Sequence, residues 1–216
     1  MSDPRPEPAA SRAAIALIVV DVATLGFITL GYEMVASRVL TPLFGGTIYT
    51  WATIISIVVA GLMAGYFLGG LAADRAPSFA FAAAIKLVAA AYLALIFALA
   101  DGGLESLANL ISGDIAALFV SGAVVCFPPL LVLGMYSPLA VRLLLRDPAD
   151  AGKISGGLFA VSCLGNIAGI LGTTFLLIPN VGTRATLLLF AGVTLLAAAL
   201  GRIVWQGRIT EDVQPD

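Results

Sequence analysis

The sequence predicts an all-α, polytopic membrane helix bundle with six transmembrane helices, and three observations carry that expectation. Hydrophobic residues make up 60% of the 216-residue chain and charged ones only 11%, with a mean hydropathy of +1.05, whereas a water-soluble domain carries about 25% charged residues. The 11 Lys and Arg and the 13 Asp and Glu are clustered, so that no charge falls between Arg38 and Asp74, between Asp114 and Arg142, or between Lys153 and Arg184. Each gap exceeds the roughly 20 residues that cross the hydrocarbon as a helix.

Apolar runs between charges and Pro or Gly breaks place the helices at about 13–36, 47–73, 78–100, 114–140, 155–178 and 184–205. The lead-in to the first, MSDPRPEPAASR, mixes acids with prolines, and Asp21 interrupts what a removable signal peptide keeps uncharged, so this helix is expected to stay. The second, AGLMAGYFLGGLAADR, carries Gly61, Gly65 and Gly69 at intervals of four, a small-xxx-small ladder for close helix packing. The third starts after Pro77 and holds Lys86 about two turns in, whose stem is expected to snorkel toward the headgroups. Pro128, Pro129 and Pro138 should kink or break the fourth. The fifth repeats the small-residue spacing at Gly165 and Gly169, followed by Gly172. Residues 1–12 and 206–216 read as short disordered tails.

Basic residues orient the bundle. With the N-terminus inside, nine Lys or Arg (Arg5, Arg12, Arg75, Lys86, Arg142, Arg146, Lys153, Arg202 and Arg208) lie on the cytoplasmic side against two, Arg38 and Arg184, outside. That bias implies six crossings with both termini in the cytoplasm. The acids Asp101, Glu105 and Asp114 gather in the opposite, outer loop.

The same composition excludes much chemistry. The chain has no His, and its two cysteines, Cys126 and Cys163, lack CxxC spacing and lie in apolar runs, so no metal and no cofactor is expected. A formal net charge of -2 offers no basic stripe for nucleic acid. No GxGxxG stands between a strand and a helix, so no nucleotide is expected either.

A charge inside a span costs about 2.5–3.5 kcal/mol, which makes it a functional candidate by default. Asp21 qualifies: eight residues beyond Ala13 at about 1.5 Å each place it roughly 12 Å deep. Thr24, Ile28 and Tyr32 share its stripe, which should face the interior. Its two readings are a cation or proton site, and a carboxyl hydrogen-bonded to a neighbouring helix. Glu33 and Arg38, five residues and about 140° apart on a helix, pair poorly with each other. They anchor at the interface or find partners on other segments. Tyr49 and Trp51 suit an aromatic belt or a ligand-stacking role. The segments LGYEMVASRVL and LGMYSPLAVRLL, each leading to a Gly pair, are separated by three helices. That pattern suits a three-plus-three inverted repeat, as in half of a major facilitator transporter.

Taken together, GYEMVASRVLTPLFGGTIYTWATIISIVVAGLMAGYFLGGLAADR resembles the membrane part of the bacterial fused major-facilitator/spermidine-synthase-like family. The positions that carry the likeness are Glu33, Arg38, Pro42, Phe44, Gly45, Tyr49, Gly65, Gly69, Gly70, Asp74 and Arg75. The runs PPLLVLGMYSPLAVRLL and GKISGGLFAVSCLGNIAGILGTTFLLIPNVG look like its second half, so the resemblance covers roughly 25–183. Ser162 stands where relatives often carry Asn, and the Asp74-Arg75 pair resembles a loop motif of major facilitators. Members commonly continue into a soluble aminopropyltransferase domain, whereas this chain stops about ten residues after its last expected helix. The resemblance therefore implies a module of the bacterial inner membrane without the enzyme.

Three functions follow as expectations. The first is a membrane subunit or anchor for a separately encoded spermidine-synthase-like partner. The second is a small facilitator-like transporter of a cationic, polyamine-like solute, completed by homodimerisation, with Asp21, Tyr32, Glu33, Arg38 and Tyr49 as candidate ligand-binding residues. The third is an integral-membrane enzyme, for which only Asp21, Glu33 and Arg38 are on hand.

Overall fold

A computed structural model describes residues 12–211 other than 76, 101 and 146, with side chains from Ala13 to Arg202; most of the two expected tails lies outside the described residues. The described residues are mostly helical and contain no strand. In lipid, a backbone N–H or C=O left without a partner costs several kcal/mol, and the helix satisfies these groups within one segment. Eight α-helices result: α1 (Arg12–Phe44), α2 (Ile48–Arg75), α3 (Phe79–Leu99), α4 (Gly103–Asn109), α5 (Asp114–Gly134), α6 (Tyr136–Leu144), α7 (Ala151–Gly172) and α8 (Ile178–Glu211). Among the described residues, five helical stretches are long and apolar enough to cross a membrane. The last of them, Pro148–Arg202, holds 55 residues and turns at Gly182, whose φ of 83° breaks the helix.

Local chemistry sets the ends. Gly45, at φ 74°, closes α1, and Thr47 accepts the backbone N–H of Thr50 to open α2. Ser78 caps α3 by accepting from the Phe81 N–H at 3.1 Å. Asp147 does the same for Ala149 at 2.9 Å, followed by Pro148, which has no N–H to leave unsatisfied. Between α7 and α8 the chain widens into a π turn over Thr173–Leu177. Pro179 cannot donate back into that turn, and the Asn180 side chain donates to the Leu176 carbonyl at 2.7 Å.

Four differences from the sequence expectation stand out. The first helix does not end near 36 but runs through Pro42 to Phe44, since Pro42 forfeits one hydrogen bond near a helix end where few follow it. The outer loop contains the short helix α4, and α8 continues past 205 to Glu211. The fourth span continues through Pro128 and Pro129 and is interrupted at Met135, in the turn where Pro138 cannot bond the Gly134 carbonyl, so that Pro138 falls in the first turn of α6.

The prolines are accommodated by two tyrosines. Without their N–H groups, Pro128 and Pro129 cannot bond the carbonyls of Val124 and Val125 four residues earlier. The Tyr92 hydroxyl donates to the Val124 carbonyl at 2.8 Å, and the Tyr32 hydroxyl donates to that of Val125 at 2.7 Å. Helices α3 and α1 thereby close the gaps in α5.

Packing follows small residues. Gly61, Gly65 and Gly69 of α2 lie against Phe127, Leu131 and Met135, while Gly165 and Gly169 of α7 lie against the Ala23 and Phe27 carbonyls of α1. These contacts, and that of α3 with α8, join the helices in pairs. An apolar stripe of α1, comprising Ile18, Val22, Leu25, Ile28, Tyr32 and Val35, forms the centre of the core. Adjacent glycines give a direct check of this packing. A Cβ at Gly69 would meet the Met135 backbone, whereas one at Gly70 would meet nothing within 4 Å. Gly69→Ala is expected to cost about 1–3 kcal/mol and Gly70→Ala to be neutral or stabilising by up to about 1 kcal/mol, measured by thermal unfolding in detergent.

Candidate functional site

The two charges farthest inside the spans, one acidic and one basic, meet. Asp21 lies nine residues into α1 and Lys86 seven residues into α3, so at about 1.5 Å per residue both sit some 10–14 Å from the same end of the bundle. The Lys86 ammonium donates to Asp21 Oδ2 at 2.5 Å and to the Ala197 carbonyl of α8 at 2.9 Å. It also lies 5.4 Å from the ring centre of Tyr136, within cation–π range. The Tyr136 hydroxyl donates to the same Asp21 Oδ2 at 2.9 Å. Lys86 is 1% exposed and Asp21 4%.

Lys86 therefore does not snorkel toward the headgroups, as its position in α3 suggested. Its stem is short of the end of the bundle, and an opposite charge is in reach. Each isolated charge would cost about 2.5–3.5 kcal/mol in a span, and the pair removes both net charges at once. Gly201 keeps the neighbouring turn of α8 clear, since a Cβ there would lie 3.2 Å from the ammonium. One junction thus ties α1, α3, α6 and α8 together, and a change in the charge of either partner reaches all four.

Tyr136 faces a second feature. It lines a polar cavity of about 20 Å³ with Thr29, Tyr66, Ser137, Ser162 and Asn166, enough for about one water. Asn166 Oδ1 is buried there without a hydrogen-bond partner. Gly26 and Gly134 also line this cavity, and a Cβ at Gly26 would lie 2.7 Å from the Ser162 carbonyl and 3.2 Å from Asn166 Oδ1. A ring of acceptors and hydroxyls is thus held beside the ion pair, with Tyr136 common to both.

The remaining candidates lie elsewhere. Tyr32 is fully buried and bonded to Val125, about 16 Å along α1 from Asp21. Glu33 is half-buried and Arg38 exposed, and no ion pair joins them. Tyr49, 72% exposed, borders an open cavity of about 940 Å³ with Glu105 and Asp114. Asp74 stands 4.0 Å from Arg142, both well exposed, and Arg75 is exposed beside it. Thr24, on the Asp21 stripe, is half-buried, whereas Ile28 and Tyr32 are buried. Cys126 and Cys163 are free thiols, one buried and one exposed.

Lys86, Tyr136, Tyr66 and Asn166 were not expected in a site. The signal for Lys86 was present: it and Asp21 are opposite charges well inside their respective spans, and such groups pair by default. Tyr136 and Asn166 carried none, since a hydroxyl or an amide in an apolar run is uninformative until its neighbours are known. No protein-family model matches the chain, and neither a curated protein nor a solved structure matches it.

Proposed function

We propose that the chain is a solute-handling membrane module, six spans with both termini on the cytoplasmic side of the bacterial inner membrane, and half of a facilitator-like carrier completed by a second copy. The observation that carries this reading is the polar cavity between α1, α2, α5, α6 and α7, which shares Tyr136 with the buried ion pair. The expected solute is cationic and polyamine-like, because the cavity, closed here to about the volume of one water, offers the acceptor Asn166 Oδ1 to an N–H donor once the helices around it part. Asp21 serves such a cation indirectly: it is already held by Lys86, so a solute displaces or releases that contact rather than filling an empty site.

Support for the two-fold build comes from the glycine contacts. Shifting residue numbers by 100 in α2 and by 108 in α5 carries the contact of Gly65 with Leu131 onto that of Gly165 with Ala23. The same shifts carry Gly134 against the Leu62 carbonyl onto Gly26 against the Ser162 carbonyl. Spans one and two thus exchange with spans four and five, which run the opposite way, as in a three-plus-three inverted repeat. This register pairs Gly134 with Gly26, five residues from the Gly31 match that LGYEMVASRVL and LGMYSPLAVRLL suggest. Close backbone approach sets it, and similarity of the two strings does not.

The test is uptake of labelled spermidine into liposomes containing the purified protein. Saturable uptake is expected, reduced at least tenfold by Asn166→Leu. Uptake no greater than in empty liposomes, together with a stoichiometric soluble synthase-like protein in pull-downs from the native membrane, would replace this reading with that of a membrane subunit, the role the sequence resemblance implies.

A further inference from the structure

At the end of the bundle where α1 gives way to α2 lies a cavity of about 220 Å³, lined by Met34, Ser37, Arg38, Thr41, Trp51, Thr174 and Ile178. No carboxylate lines it, so Arg38 leaves it with a single positive charge. The nearest acid along α1, Glu33, is five residues and about 140° away on the helix and is not among the lining residues. Among the described residues Arg38 forms no salt bridge; the carboxylates Asp21 and Asp74 are taken by Lys86 and Arg142.

The hydroxyls sort into committed and uncommitted. Ser37 donates to the Met34 carbonyl and Thr41 to the Ser37 carbonyl, so their protons are spent within α1. Thr174 is different. Its Oγ1 is buried and has no hydrogen-bond partner, and it sits in the π turn of Thr173–Leu177. Single π turns inside long helices recur at functional sites, and here the turn places Thr174 in the wall of the cavity that Arg38 also lines. A buried hydroxyl without a partner is destabilising unless something absent from the protein itself completes it. The cavity is therefore lined by a guanidinium, an uncommitted hydroxyl and an indole, all groups that can donate, with no acid among its lining residues.

We propose that this cavity binds a phosphate group, with Arg38 as the forked donor to two of its oxygens and Thr174 and Trp51 as donors to the others. A guanidinium presents parallel N–H groups whose spacing matches phosphate oxygens, which an ammonium does not reproduce. At about 220 Å³ the space is smaller than the roughly 300–1,000 Å³ of sites for drug-sized ligands, and suits a headgroup or a free phosphate rather than a large metabolite. This site is separate from the polar cavity, stands on different residues, and holds whether or not the chain carries a solute.

Two probes distinguish the sources of the phosphate. Delipidated protein in a phosphate-free detergent is titrated with inorganic phosphate, read by the fluorescence of Trp51 in a Trp205→Phe background. In parallel it is mixed with dioleoyl phosphatidylglycerol and examined by native mass spectrometry for retained lipid. Binding of either probe is expected, weakened at least tenfold by Arg38→Gln, less by Arg38→Lys, and about threefold or more by Thr174→Val, which keeps the shape and removes the hydroxyl. Retention of lipid alone identifies a headgroup site, and a response to inorganic phosphate identifies a free-anion site. Should neither probe bind, or should Arg38→Lys and Thr174→Val bind both as the unaltered protein does, the proposal is overturned. Those two conservative variants keep the test decisive if Arg38→Gln fails to fold.

Discussion

Lys86→Met is expected to destabilise the bundle by about 3–5 kcal/mol, the cost of leaving one member of a buried ion pair uncompensated. The single change strands Asp21, 4% exposed, with only the Tyr136 hydroxyl as a donor. Asp21→Leu is expected to be similarly harmful, since the Lys86 ammonium then keeps only the Ala197 carbonyl. The double variant Asp21→Leu/Lys86→Met removes both charges and is expected to recover most of the loss, because replacing a buried pair with apolar residues of similar size is often neutral. Thermal unfolding in detergent measures all three. If the double variant is as unstable as the sum of the singles, the pair is not an isolated charge compensation. Uptake separates structure from function: a pair that takes part in transport leaves the stable double variant inactive, whereas a pair that only holds helices leaves it active.

Tyr32→Phe is the second large effect, about 1–3 kcal/mol of lost stability, because the Val125 carbonyl is then buried with no donor. The expectation is sharpened by the reason for the bond. Pro129 is what leaves that carbonyl open, so in a Pro129→Leu background the restored N–H of residue 129 supplies the missing partner. There Tyr32→Phe is expected to cost only a few tenths of a kcal/mol, and the double-mutant cycle should show a coupling of about 1–2 kcal/mol. An unchanged cost in the leucine background would mean that Tyr32 acts through packing and not through the carbonyl. The parallel pair, Tyr92 with the Val124 carbonyl freed by Pro128, should behave in the same way with a smaller effect, since Tyr92 is only partly buried.

These two results concern residues that the chain displays very differently before folding. Asp21 is conspicuous in sequence because a carboxyl interrupts an apolar run. Tyr32 is inconspicuous, and its phenol reads equally well as a ligand contact; its partner lies 93 residues away, and only the fold brings it there. Glu33 and Arg38 stand out as charges near the end of a helix, yet they do not pair with each other. What distinguishes Arg38 is an uncommitted hydroxyl at residue 174, which no local pattern announces.

The linear order of residues was enough to predict the helical class, helices long and apolar enough to cross a membrane, the approximate limits of most of those helices and the places where glycines would let them touch. Those properties depend on the number of apolar residues in a row and on backbone groups that must bond within their own segment, both of which are local quantities. The partner of Asp21, the tyrosines that complete α5 and the cavity around Asn166 were settled only by tertiary structure. A lone charge or an open carbonyl in an apolar helix states that a partner is needed. Which distant side chain supplies it depends on the depth and rotation of every helix in the bundle, and those follow from packing between segments, with glycine contacts such as Gly65 on Leu131 and Gly165 on Ala23 fixing the register.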